Sequence, residues 1–186
     1  MSLRIISGAL KGRKLKTLRG TKTRPTTDRL RETIFNILQA YDRPQIVLDL
    51  FAGSGAFGLE AISRGAKEAV FIDGQRTACN IIKENIRICH IESQTTVIHW
   101  NIIHNLHCIR KVPHFFDLVF MDPPYNQNCL TPTLNHLLNS GRLKPKALIV
   151  LEHHENEPLL AGLPHLETID CRRYGKTLVS ILYYMV

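Results

Sequence analysis

Asp122-Pro123-Pro124-Tyr125 follows the apolar run FDLVFM without a break. Two successive prolines fix φ and remove two backbone donors, so the turn they form presents acceptors only. Those acceptors are the Asp122 carboxylate and a backbone carbonyl around Pro123. Together they can hold both hydrogens of an –NH2 group and aim its lone pair outward. Tyr125 adds an aromatic face on which a base can stack, worth roughly 1–3 kcal/mol in nucleic-acid sites. An amine conjugated to an aromatic ring is a poor nucleophile. Hydrogen bonds from its N–H groups favour rehybridisation toward sp3, and in-line alignment with an electrophile can remove about 7–11 kcal/mol of barrier. The chemistry expected at Asp122, Pro123, Pro124 and Tyr125 is therefore group transfer to a planar amine, with no metal.

A second constellation, DLFAGSGAFG from Asp49 to Gly58, stands between an apolar run and a helical pattern. Gly53 and Gly55 allow a tight turn and close backbone approach to a ligand, and the helix beyond offers free N–H groups. Asp73 closes the next apolar run, where a carboxylate can accept from the two hydroxyls of a ribose. The same spacing matches a dinucleotide fingerprint, and glycine patterns of this kind are weak evidence alone. Asp49 can neutralise the amino group of a methionine moiety but would repel a pyrophosphate, and the chain is too short for a second substrate domain. Both favour a methionine-bearing cofactor without settling it; the DPPY turn on the same rim does. The expected cofactor is S-adenosyl-L-methionine, held by Asp49, Phe51, Gly53, Gly55 and Asp73. Asn101 and Ile102, past the third apolar run, are candidates for the adenine N6 amine and ring, with an ordinary turn asparagine an equal reading.

These groups need a scaffold that brings them to one rim. IVLDLF (46–51), AVFID (69–73), TTVIH (95–99), DLVFMD (117–122) and ALIVLE (147–152) read as strands, and 57–65, 76–90 and 130–140 as helices. Near-continuous apolar strands alternating with helices imply a parallel sheet covered on both faces. The tail, LETIDCRRYGKTLVSILYYMV, reads as an antiparallel hairpin turning at Tyr174–Gly175. The expected architecture is a Rossmann-like α/β methyltransferase fold, seven-stranded and mostly parallel, with its ligands beyond the strand carboxyl ends. Upstream, residues 3–18 suggest a basic β-hairpin or short antiparallel pair. Thr26 or Thr27 can cap a helix over 28–40 with Leu30, Ile34, Ile37 and Leu38 on one face and Arg29, Arg31 and Glu32 elsewhere. This divides the chain into an N-terminal basic extension (1–40) and the main domain (41–186).

The chain of 186 residues carries a formal net charge of +8, and the excess is concentrated: ten Lys or Arg precede or include Arg31, against Asp28 alone. Such a face concentrates polyanions. The five cysteines form no CxxC pair and no apolar run spans a bilayer, which together with the missing signal sequence points to a cytoplasmic protein with reduced thiols. His99, His104, His107 and His114 lie close together with Cys108, but their spacing matches no zinc pattern, so no metal is expected.

The quoted motifs resemble the RsmD-type guanine-N2 methyltransferases of small-subunit ribosomal RNA. The resemblance runs through RIISGALKGRKL, RPTTDRLRETIFNIL, VLDLFAGSGAFGLEAISRGA, DLVFMDPPY and RRYGKTLVSILYY, nearly the whole chain. It implies methylation of a guanine in 16S rRNA, within an assembled or assembling small subunit; separately, a monomer is expected. In that family the glycine loop binds cofactor and the DPPY turn orients the amine. Asp73 stands where the family often has Glu, and Asn101 where many methyltransferases have Asp. The basic extension then gains a role, with Arg4, Lys11, Arg13, Lys14, Arg24, Arg29 and Arg31 holding phosphates while the target base is turned out. Other readings of the residues are a DNA adenine-N6 methyltransferase, a methyltransferase of protein glutamine, and a non-catalytic RNA-binding assembly factor on the same scaffold.

Overall fold

The computed structural model describes residues 3–18, 28–41, 44–125, 127–157 and 163–186. Seven strands form one sheet: β1 (Ile46–Leu50), β2 (Glu68–Asp73), β3 (Thr95–His99), β4 (Phe116–Met121), β5 (Leu143–His154), β6 (Leu166–Tyr174) and β7 (Thr177–Tyr184). Their order is β3-β2-β1-β4-β5-β7-β6. β1 to β5 are parallel, and β7 pairs antiparallel with both β5 and β6. The expected fold is observed, with β5 starting four residues earlier than its apolar run, at Leu143.

Strand alternation assigns the two faces. Val47, Phe71, Phe120 and Val150 point to one core layer, which also takes α1 (Asp28–Leu38), α2 (Ala56–Ser63) and α3 (Arg76–Cys89). Leu48, Ile72, Met121 and Leu151 point to the other, beneath the 3-10 turn His107–Lys111 and α4 (Leu130–Leu138). Successive strand residues face opposite ways. By this parity Asp49, Asp73, Asp122 and Glu152 share the α1–α2–α3 side, each at or just past a strand's carboxyl end.

The N-terminal stretch closes on itself through one antiparallel bridge, Arg4 to Lys14, with Leu15 N–H donating to the Leu3 carbonyl at 2.8 Å. Leu3, Ile5 and Leu15 are buried in the same layer as α1 and α2. Buried Glu60 of α2 anchors it, accepting the Ile6 and Ser7 amides at 2.7 and 3.0 Å. Gly8, at φ 80, lies so close that a Cβ there would stand 1.8 Å from the Ser63 carbonyl oxygen.

Arg31 departs from the sequence expectation. It is fully buried, not a surface cation: its guanidinium donates to Asp28 at 3.1 Å and to the Arg4 carbonyl, with Nε 3.8 Å from Glu60. It lies on the apolar stripe with Ile34, Phe35 and Leu38 at helical spacing, facing α2. A guanidinium so enclosed has no surface to offer a phosphate.

Candidate active site

The glycine loop is held by the two carboxylates that the sequence singled out. Asp73 Oδ2 accepts the Gly53 amide at 2.9 Å, and its Oδ1 accepts Gln75 N–H at 2.8 Å. Asp49 Oδ2 accepts the Gly58 amide in the first turn of α2, also at 2.9 Å. Both are buried. Phe51, Gly53 and Gly55 have φ of 56, 56 and 77. For Phe51 that left-handed conformation costs about 1–2 kcal/mol, strain of a kind that collects at ligand sites. A Cβ on Gly53 would meet only the Phe51 carbonyl oxygen, at 3.9 Å, so the loop is open above it. On Gly55 a Cβ would press against Phe71 and Ile82 at 3.3 and 3.4 Å, so that side is packed.

Burial, opposed in part by the Gly58 amide, pushes the Asp49 carboxyl up to about 8, and nearby Asp73 adds to the shift. A cation beside Asp49 would reverse this. The loop thus combines an open backbone cradle with buried acceptors for an ammonium and for hydroxyls. That set fits S-adenosylmethionine and opposes a pyrophosphate. Asn101 is exposed, as an adenine contact requires, but Ile102 is drawn into the α4-side core and has little surface left for a ring.

The tetrapeptide lies on the same rim. Asp122 is half-buried, Pro123 buried, Pro124 and Tyr125 exposed. Asp122 lines a small cavity with Ile34 of α1, Phe57 of α2, Phe120, Val150 and Glu152. Phe57 stacks on Phe120 with ring centroids 4.7 Å apart. Burial, reinforced by the charges of Glu152 and Asp49, holds the Asp122 carboxyl well above the usual carboxylate range. The Tyr125 hydroxyl donates to Glu152 Oε1 at 2.9 Å and lies 3.3 Å from Thr177 Oγ1. Its ring is 5.8 Å from that of His154.

The histidine pair that ends β5 divides its duties. His153 is buried between the Glu157 carbonyl and Ser180 Oγ, both at 2.9 Å, while His154 flanks Tyr125. Among the described residues no group of His, Cys, Asp and Glu is arranged to hold a metal ion.

Of the basic residues, Arg4, Lys11, Arg13, Lys14 and Arg29 are exposed. Arg4 pairs with Asp28 at 3.3 Å, and Arg13 donates to the Ile88 carbonyl at 2.8 Å. Arg24, like Thr26 and Thr27, lies outside the described residues. Two residues of the site escaped sequence reasoning. Glu152 lies near the end of β5 beside Asp122, a position legible only once β4 and β5 are known to be neighbours. Asn85 of α3, fully buried, accepts Lys16 N–H at 2.7 Å and donates to the carbonyls of Lys16 and Ser54 at 3.0 and 2.9 Å. It ties the basic arm to the glycine loop.

A sheet in the order 3-2-1-4-5-7-6, with a glycine loop after β1, an acid ending β2 and DPPY after β4, defines the S-adenosylmethionine-dependent methyltransferase class. SMU.776, solved in complex with SAH, shares this fold: TM-score 0.64 at 14% identity over 82% of this chain and 49% of that one. Within the class, the chain belongs to the family described as Conserved hypothetical protein 95, whose model matches residues 3–183. It is similar to the ribosomal RNA small subunit methyltransferase D of Haemophilus influenzae, with 40% identity over 85% of this chain and 82% of that protein. The solved structure of yhhF from Escherichia coli superposes with a TM-score of 0.84 at 32% identity, covering 100% of this chain and 99% of that one.

Proposed function

We propose that the chain transfers a methyl group from S-adenosylmethionine to the exocyclic N2 amine of a guanine in 16S rRNA, acting on the small subunit during or after assembly. The observation that carries the reading is the rim shared by Asp122, Tyr125 and the loop between Asp49 and Gly58. When bound, the cofactor supplies an electrophilic methyl on a sulfonium centre. Asp49 and Asp73 hold its amino group and ribose, and Gly53 and Gly55 admit it to the backbone. Asp122 and the carbonyl around Pro123 accept the two N–H bonds of the target amine and turn its lone pair out of conjugation. Tyr125 stacks on the extruded base. Once the nitrogen is alkylated its proton is acidic, and Asp122, ionised in that state, is placed to take it.

The basic extension, residues 1–40, is the RNA-binding part. Arg4, Lys11, Arg13, Lys14 and Arg29, all exposed, hold phosphates, with Arg24 assigned by sequence alone. Five such contacts give a salt slope of roughly −3.5 to −4.5.

The test is transfer of labelled methyl groups to undermethylated small subunits, naked 16S rRNA and duplex DNA, with nucleoside analysis of the product. N2-methylguanosine is expected, with kcat falling about 10²- to 10³-fold in Asp122→Ala, the scale seen when one aligned hydrogen-bonding group is removed. N6-methyladenine in DNA, or no transfer with cofactor bound, overturns the reading.

A further inference from the structure

Glu152 is an acid that the reaction described above does not use. It follows the apolar run of β5 and is 8% exposed. The register pairs Met121 with Leu151, so Asp122 and Glu152 are the next residues on adjacent parallel strands. Both line the same cavity. The Tyr125 hydroxyl, itself beside Thr177, donates to Oε1 and fixes the carboxylate next to the stacking ring. Two carboxylates set side by side in a half-dry site repel one another, and burying them is costly. An acid kept at this cost beside Asp122, with its carboxylate fixed by Tyr125 at the edge of the same cavity, is placed to meet a ligand.

Ionised carboxylates only accept hydrogen bonds. Two of them side by side, ionised as the reaction requires of Asp122, complement a base edge that presents two adjacent donors. Guanine has such an edge, with N1–H next to the N2 amine. Adenine sets its N6 amine beside the N1 lone pair, and cytosine its N4 amine beside the N3 lone pair. Either base would bring a lone pair against a carboxylate. We infer that Glu152 selects guanine: its carboxylate accepts the N1–H while Asp122 accepts from the N2 amine. The inference rests on the proposed methylation of guanine and adds to it the residue that excludes other amino bases. Tyr125 then has two functions, stacking on the base and holding Glu152 at its edge.

The test compares small-subunit RNA with guanine, or with 2-aminopurine, at the position the wild-type protein methylates. 2-Aminopurine keeps the N2 amine but has a lone pair at N1. Wild type is expected to favour guanine by roughly 100-fold or more in kcat/KM, as sites built around a hydrogen bond do. In Glu152→Gln the amide can donate to N1, so guanine turnover falls and the preference shrinks to about tenfold or less. Glu152→Ala, which removes the acceptor without offering a donor, also loses preference and serves if the Gln variant does not fold. A merely structural role would lower both substrates together and leave the ratio alone. Equal use of the two bases by wild type, or an unchanged ratio in both variants, overturns the role of Glu152 while guanine methylation stands. Absence of transfer to guanine by wild type refutes the parent reading and this one with it.

Discussion

Cofactor binding should release a proton from Asp49, and the size of the effect follows from its burial. The carboxyl sits at about 8 because it is enclosed, with only the Gly58 amide favouring its charge. At pH 7 such a group is about 90% protonated, a tenfold excess of acid over base. An ammonium brought against it favours the carboxylate, and an opposite charge at contact lowers a carboxyl by about 1–3 units. Binding at pH 7 then expels about half to nearly all of one proton. Affinity should rise about two- to eightfold from pH 6 to pH 7, and level off near pH 8, where α-amino groups begin to lose their own proton.

The assay is titration calorimetry with S-adenosylmethionine in buffers of different ionisation enthalpy, on wild type and Asp49→Asn. Asp122 is also protonated above its usual range, so the difference between the two proteins isolates Asp49. The variant keeps an oxygen for Gly58 but has no proton to lose, so its binding should be weaker and less steep in pH. The same carboxyl works against the empty fold. Between pH 4 and 8 the folded chain holds a proton that the unfolded chain lacks, so stability falls as pH rises, and Asp49→Asn should unfold at higher urea than wild type at pH 8. Equal pH slopes and equal proton release in the two proteins would refute the assignment of the amino group to Asp49.

Three further outcomes follow from the packing and charge. Glu60→Ala leaves the Arg31 guanidinium buried without its main counter-charge and frees the Ile6 and Ser7 amides, so urea unfolding should show a loss of about 3–5 kcal/mol. Gly58→Ala would drive a Cβ to 2.3 Å from the fully buried Phe71 ring, and thermal unfolding should report about 1–3 kcal/mol of overpacking together with weaker cofactor binding. Activity that needs ionised Asp122 should rise with pH through a carboxyl held well above its ordinary value, and Glu152→Gln should move that limb to lower pH in a rate profile by removing one of the charges that raise it.

The sheet was legible because its strands are buried on both faces and read as unbroken apolar runs, and the helices between them carry clear periodicity. The rim was legible for a different reason. DPPY and the glycine loop are contiguous, so their geometry is set by the local backbone: two prolines in one case, left-handed turns at Gly53 and Gly55 in the other. Arg31 was misplaced although its spacing put it on the apolar face of α1. A charge is assigned outward unless its partners are known, and Glu60 lies on another helix, 29 positions away. Glu152 and Asn85 were silent for the same reason, since each acquires meaning only from neighbours that folding brings to it. Ile102 shows the converse: its sequence position beside Asn101 suggested a ligand contact, and the core claimed it.

Charge is divided in this molecule with a consequence for how substrate enters. Four carboxylates, Asp49, Asp73, Asp122 and Glu152, face one side of the sheet at its rim, while the lysines and arginines of the N-terminal stretch are exposed on the arm that packs against α2. On the proposed reading a polyphosphate chain is drawn to the arm rather than to the rim, so the backbone would be favoured outside and a base inside. If the proposed roles hold, the same rim favours, among bases, the edge richest in donors and, among cofactors, a cation. The arm and the loop are joined by Asn85, which holds Lys16 of one and Ser54 of the other. RNA held by the arm, as proposed, would act on a segment hydrogen-bonded to the cofactor loop, and any coupling between the two ligands must be reciprocal. Asn85→Ala breaks that link at both ends without touching either ligand, and should reduce the effect of bound RNA on S-adenosylmethionine affinity more than it reduces that affinity in the absence of RNA.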